Sequence, residues 1–159
     1  MSVQNANTDD DPILQWVTFR LEQETYGINV MQVREVLRHS EIAPVPGAPA
    51  YVIGIINLRG NVVTVVDTRE RFGLSSTDIT DHTRIVILET EAQVVGILVD
   101  AVAEVVYLRQ SEIEPAPNVG NPDNARYIQG VSHKNNRLLI LIAIKNLLTD
   151  HEWAELSDL

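Results

Sequence analysis

The stretch Val45–Arg71 reads VPGAPAYVIGIINLRGNVVTVVDTRER, and the rest of the chain is read outward from it. Pro46, Gly47 and Pro49 open it as a stiff, irregular entry. Gly54–Leu58 then reads as a short strand. Arg59-Gly60-Asn61 is a turn signal, and Val62–Asp67 is a second strand rich in β-branched residues. Together they form a hairpin with Arg59 at its tip. A long cation on such a corner has little apolar surface to lie against. Two readings stand: a solvated turn arginine, or a contact residue for a partner protein, since Arg is enriched at interface hot spots.

Toward the N-terminus, residues 1–12 carry Asp9, Asp10 and Asp11 and read as a flexible acidic leader. Leu14–Leu21 alternates as a strand, Glu22–Thr25 is a turn, and Tyr26–Asn29 begins a second strand. Val30, Val33, Val36 and Leu37 then fall at helical spacing, and Asn29 with Gln32 resembles a capping box. The spacing predicts a helix of about two turns over Val30–Leu37, with Glu35 off its apolar stripe as an exposed carboxylate.

Toward the C-terminus, Asp67 is placed to cap a turn over Thr68–Phe72 that Gly73 ends. Leu74–His82 is a loop, Thr83–Leu88 a strand and Glu89–Gln93 a turn. The Val-rich run Val94–Leu108 covers two strands with a bend near Asp100 or Ala101. Glu114–Asn124, with its prolines, is a loop. Tyr127–Ser132 and Arg137–Ile142 make a second hairpin across His133–Asn136. Ile144–Leu148 and Trp153–Leu159 read as short helical pieces.

The chain repeats itself. Tyr26–Val36 aligns with Val95–Val105, matching Gly27 to Gly96, Ile28 to Ile97, Val30 to Val99, Val33 to Val102, Glu35 to Glu104 and Val36 to Val105. Tyr51-Val-Ile-Gly54 aligns with Tyr127-Ile-Gln-Gly130, each leading into a hairpin, and a Pro-x-Pro stands between the blocks in both halves (Pro44 and Pro46, Pro115 and Pro117). Three blocks in one order predict two similar β units. The alignment conflicts with the helix over Val30–Leu37, because its counterpart in the second half reads as strand. Short strands with tight turns close into small barrels, which removes exposed edges. Two packed barrels leave a groove between them where ligands or partners can bind.

Composition narrows the function. With 159 residues and 45% apolar content the chain is globular and long enough for a substantial core. Its net charge of −10 opposes binding to nucleic acid or to an anionic membrane surface. Cysteine is absent, which excludes disulfides, thiolate zinc sites and cysteine nucleophiles. No apolar run reaches membrane-spanning length and no signal-peptide pattern opens the chain, so a soluble cytoplasmic protein is the default. The four histidines are scattered and show no HExxH spacing, so no metal centre is expected. No GxSxG, P-loop or GxGxxG occurs. Asp67 and Asp100 each end a β-branched run. A pair of acids so placed can do acid–base work, but capping or turn formation is the commoner use, and Asp67 has Ala143 as its counterpart in the second half.

The blocks YGINVMQVREVLR, VPGAPAYVIGIINLRGNVVTVVDTRERFG, VVGILVDAVAEVV and LLILIAIKNLL together resemble the CheW family of chemotaxis coupling proteins, over about Leu14–Leu148. The resemblance implies a mainly β fold of two intertwined five-stranded SH3-like barrels within one domain over 13–150, followed by a helical tail at 151–159. It implies a non-catalytic, cofactor-free adaptor at the receptor array, joining the cytoplasmic tip of chemoreceptors to the regulatory domain of the histidine kinase CheA. With no receiver or kinase domain appended, a stand-alone coupling protein is expected. Carried over by motif, Val33, Glu35 and Gly54 become kinase-contact candidates. Val36, Asn57, Leu58, Arg59 and Ile85 become receptor-contact candidates. Core packing is the plain alternative for Val33, Val36 and Ile85, and close backbone approach is the alternative for Gly54. Ala143 departs from the family, which often has an acid there. Two other functional readings remain open at this stage. One is a paralogous adaptor of another chemosensory system, such as twitching motility. The other is a small β-barrel hydrolase or ligand carrier, which would need a pocket with convergent polar groups.

Overall fold

The computed structural model describes residues 10–91, 93–116, 126–134 and 136–158. The first nine residues of the expected leader, the loop from Pro117 to Asn124, Asn135 in the second hairpin turn and Leu159 lie outside the described residues.

Strands β1 (Ile13–Leu21) and β2 (Glu24–Asn29) form a hairpin through Glu22-Gln23, with Glu22 at φ 56°. A single 3-10 turn, Val30–Gln32, follows, capped by the Asn29 side chain, which accepts from the Met31 amide at 2.9 Å. The chain then enters β3 (Val33–Arg38), so the helix expected over Val30–Leu37 is absent. A bulge explains why its spacing misled. The pairing of β3 with β6 (Arg84–Glu89) shifts between Val33 and Glu35, which puts Val33 opposite Leu88 and Val36 opposite Val86. Leu88 and Val86 belong to the same apolar cluster, so two residues three apart share one face of a strand. An extra residue in a period-2 element imitates helical spacing. The repeat alignment, which required a strand here, was the sound guide.

The expected hairpin is β4 (Val52–Leu58) and β5 (Asn61–Asp67). Asp67 caps the short helix α1 (Thr68–Arg71) by accepting from the Glu70 amide at 3.1 Å. β7 (Val94–Val99) and β8 (Ala101–Arg109) divide the Val-rich run at Asp100. β9 (Ile128–Lys134) and β10 (Arg137–Ile142) form the second hairpin. Ala143 precedes a 3-10 turn, Ile144–Asn146, and supplies no side-chain cap, unlike Asp67 at the matching place. Helix α2 (Asp150–Ser157) starts three residues before the expected Trp153. Its start is fixed by a capping box in which the Thr149 hydroxyl accepts from the Glu152 amide and the Glu152 carboxylate from the Thr149 amide.

Two five-stranded sheets result, ordered β8-β1-β2-β10-β9 and β3-β6-β7-β5-β4. Each becomes the other when β1–β5 are exchanged for β6–β10 in order. The repeat is therefore a pseudo-twofold, and the two barrels are intertwined: each repeat half places its first two strands in one sheet and its last three in the other. The parallel pairs β2–β10 and β5–β7 are the joins this exchange creates. This is the expected mainly β, two-barrel fold.

Phe19, Ile28, Val66, Val86, Leu88 and Ile97 meet in the apolar core shared by the barrels. Trp16, Leu108, Leu139 and Leu141 fill one barrel, and Ile56, Val63, Val65, Ile85 and Ile87 the other. Each such side chain contributes about 1.5–3 kcal/mol on burial. A polar node ties the two crossings together. Arg69 of α1 donates to Asp100 (Nε to Oδ1, 2.9 Å) and to Glu22 (2.6 Å), and Asp100 accepts from the Glu22 amide at 2.9 Å. At the far side, Arg71 and Arg126 hold Glu152 at 2.8 and 3.6 Å, and Tyr51 donates to Glu155 at 3.1 Å, which seats α2 on both halves.

Candidate protein-docking site

The seam of the β3-β6-β7-β5-β4 barrel, where its edge strands β3 and β4 face each other, carries most of the candidate residues. After the bulge, Glu35 and Leu37 turn toward the barrel mouth while Val36 and Arg38 turn outward. The β4–β5 turn brings Arg59 to Glu35 across the seam. One nitrogen of the guanidinium, Nη1, donates to Oε1 at 3.3 Å, and Nη2 donates to Oε2, so the pairing is two-pronged. The Arg59 side chain is 69% exposed and that of Glu35 25%. Hydrogen bonding from Arg59 holds the Glu35 carboxyl below its ordinary range, and Glu35 in turn raises the Arg59 guanidinium. Arg59 sits in the left-handed region at φ 51° and Gly60 at φ 88°, the pair of positive angles a two-residue hairpin turn uses, and Asn, Asp or Gly fill the first position at less cost than arginine. The Asn57 side chain helps set this turn by accepting from the Gly60 amide at 2.9 Å. Neither Glu35 as an isolated helix carboxylate nor Arg59 as an isolated turn cation is what the chain builds; they form one clasp, 24 residues apart in sequence.

The other candidates separate by exposure. Val36 is 40% exposed on the outer face of β3. Leu58 is half-buried against the barrel core, and Val33 is half-buried against the shared core. Ile85 is fully buried and offers a partner no surface, so a direct contact at that position is corrected to core packing that supports β3 from beneath. Gly54 is buried under the strap Ile42–Ala43, which pairs with β4 through Ala43 N–H to Ile55 O at 2.9 Å and Ile55 N–H to Ala43 O at 2.8 Å. A Cβ on Gly54 would lie 2.2 Å from the Ala43 carbonyl oxygen. Its counterpart Gly130 lies under the matching strap at Ile113–Glu114, so close backbone approach accounts for both glycines.

Arg38 and Arg84, which no motif singled out, join Val36 on the outer face. They stand directly opposite one another at the end of the β3–β6 pair.

Two concave regions lie elsewhere, one small and one wide and open. Asp67 and Asp100, the two acids weighed for acid–base work, line a cavity of about 70 Å³ with Arg69, room for a few waters at most. Both are engaged, Asp67 as a helix cap and Asp100 with Arg69; burial pushes the Asp100 carboxyl up, but hydrogen bonds from Arg69 and the Glu22 amide, together with the charges of Arg69 and Arg20, leave it below its ordinary range. An open groove of about 980 Å³ on the other barrel has Thr18, Leu108, Ser132 and Leu139 along it, and its charges, Arg20, Glu24, Glu104, Lys134 and Arg137, are of mixed sign. Among the described residues no group of three or more His, Cys, Asp or Glu could hold a metal, and no helix is long and apolar enough to cross a membrane.

Comparison with known proteins agrees with this geometry. The family described as CheW-like domain matches residues 15–152. The chain belongs to the CheW family. The chemotaxis protein CheW of Treponema pallidum is 34% identical over 154 residues, covering 94% of this chain and 91% of that protein. The CheW of Bacillus subtilis is 37% identical over 139 residues, covering 87% and 88%. Among solved structures, the scaffolding protein TtCheW from Thermoanaerobacter tengcongensis superposes with a TM-score of 0.77 at 33% identity, covering 83% of this chain and 90% of that one.

Proposed function

We propose that this CheW-family chain is a non-catalytic, cytoplasmic adaptor of chemotaxis that couples chemoreceptors to the histidine kinase CheA. The observation that carries the reading is the Arg59–Glu35 clasp: an exposed, two-pronged ion pair held across a barrel seam by a turn in a costly backbone conformation. An exposed ion pair adds little to stability, and strain of this kind is retained where surface shape is used. Glu35 and Val33, at either end of the β3 bulge, belong to the kinase-facing side, and Gly54 sets the strap that shapes that side. Val36 and the Asn57-Leu58-Arg59 turn face the receptor's helical tip, with Ile85 supporting them from the core.

Arg59→Ala tests this. The residue is exposed, so melting should stay within the range set by a change of about 0.5 kcal/mol. Receptor-controlled kinase activity in a reconstituted array should fall. Wild-type coupling by this variant would remove the clasp from the site.

A further inference from the structure

We infer that the receptor-facing surface of this chain is built for an acidic partner: Val36, Arg38 and Arg84 take an apolar side chain flanked by carboxylates. The inference rests on the adaptor reading and names the chemistry of its receptor contact. Four of the twelve lysines and arginines, Arg34, Arg38, Arg59 and Arg84, lie on β3, on the first residue of β6 and on the β4–β5 turn, in a chain of net charge −10. Two of these are paired with acids, Arg59 with Glu35 and, loosely at 3.9 Å, Arg34 with Glu89. Arg38 and Arg84 have no ion-pair partner among the described residues. Arg84 donates only to the Asp81 and Thr83 carbonyls, which leaves its charge uncompensated.

Arg38 and Arg84 are also direct cross-strand neighbours. Like charges so placed destabilise the pair they join, and a chain with 22 acidic residues had opposite charges to hand. The same face carries Val36, 40% exposed, over the fully buried Val86, at the margin of the shared core. The matching face of the other barrel has Val105 and Tyr107 on β8 at the places of Val36 and Arg38, with Gln15 of β1 opposite Tyr107 where Arg84 stands, and so has no cation in this register. The charge is thus a property of one face and does not follow from the repeat. An apolar contact ringed by two unpaired arginines complements a partner surface with the reverse pattern, and such complementarity chiefly sets specificity and encounter rate.

The test is a binding titration of the full chain against a soluble cytoplasmic hairpin of a chemoreceptor and, separately, against the CheA regulatory domain, at low and high salt. Wild type should bind the hairpin more weakly at high salt. Arg38→Glu should melt at or slightly above wild type, because it replaces a like-charge pair with an opposite one. It should nevertheless bind the hairpin about tenfold more weakly at low salt, with a flattened salt response, and bind the kinase domain unchanged. Arg38→Lys should bind as wild type. Hairpin affinity unchanged in Arg38→Glu, or a loss confined to the kinase domain or to self-association, overturns the inference and leaves the adaptor reading standing. Wild type binding neither probe overturns both.

Discussion

Replacing Gly54 with alanine separates its two readings, strap packing and partner contact. The added Cβ would stand 2.2 Å from the Ala43 oxygen, 2.8 Å from its carbonyl carbon and 2.9 Å from Ile42 Cγ2. Carbon needs about 3.5 Å from such neighbours, so the strap must retreat by about 1 Å. The bonds at 2.9 and 2.8 Å between Ala43 and Ile55 would stretch beyond useful length. Two lost backbone hydrogen bonds cost about 0.5–1.5 kcal/mol each, and overpacking adds about 1–3 kcal/mol. Together these make a destabilisation of about 2–6 kcal/mol, which lowers the melting temperature by about 4–24 °C at this size. Gly130→Ala should cost less, because its Cβ would stand 2.9 Å from the Glu114 backbone oxygen and 2.8 Å from Ile113 Cγ2, a milder clash than the 2.2 Å approach at Gly54. Thermal unfolding followed by circular dichroism, with kinase binding measured on the same samples below the transition, checks both variants. If Gly54→Ala melts within about a degree of wild type, the packing argument is wrong. If binding then falls with melting unchanged, Gly54 is a contact.

Glu35→Lys should break the clasp and place two cations across the seam, lowering affinity for the CheA regulatory domain without unfolding the chain; an unchanged titration curve would remove Glu35 from the kinase side. Arg69→Ala should destabilise by about 2–3 kcal/mol in chemical denaturation, because an arginine side chain only 11% exposed would leave the Asp100 and Glu22 carboxylates facing each other at the crossing, and a loss below about 1 kcal/mol would contradict the node. Acid should weaken the fold with a definite sign. Asp100 and Glu152 are held below their ordinary values of 3.8 and 4.5, in each case despite burial, which pushes upward, by hydrogen bonds from Arg69 and Glu22 and from Thr149 and Arg71. Groups lowered on folding stabilise above their unfolded pKa and lose that contribution as pH falls through the folded one. The melting temperature should therefore hold from neutrality to about pH 5 and drop below it, less steeply in Arg69→Ala; a flat profile down to about pH 3 would refute this.

The architecture was readable because short β-branched runs and turn residues recur in one order. Gly54 and Gly130 mark the same close backbone approach in each half, Gly27 and Gly96 the same tight packing against side chains of neighbouring strands, and their order survives without overall sequence identity. The reading of Val30–Leu37 failed for a local reason, since a bulge at Arg34 is invisible in residue spacing and turns a strand's period into a helix's. The start of α2 was missed although Thr149-Asp-His-Glu152 spells a capping box. At the site, Glu35 and Arg59 were each legible as exposed charges, Arg59 at a hairpin tip and Glu35 off an apolar stripe, but their pairing was not. Nor were the contacts of Arg69 with Asp100 and of Arg38 with Arg84. These partners lie 24 or more residues apart and meet only once the order of strands across each sheet is known.

The boundary between the repeats does not coincide with the boundary between the barrels. β3 to β7 are consecutive in the chain and make one sheet, whereas the other is assembled from β1 and β2 at one end and β8 to β10 at the other. A protease cut in the exposed 75–82 loop would therefore release two fragments, each holding part of both sheets and neither holding a whole one. Such fragments should stay associated after nicking and, if produced separately, recover the native fold on mixing. The chain is thus a natural candidate for split-protein complementation, with reassembly itself reporting that both barrels have closed.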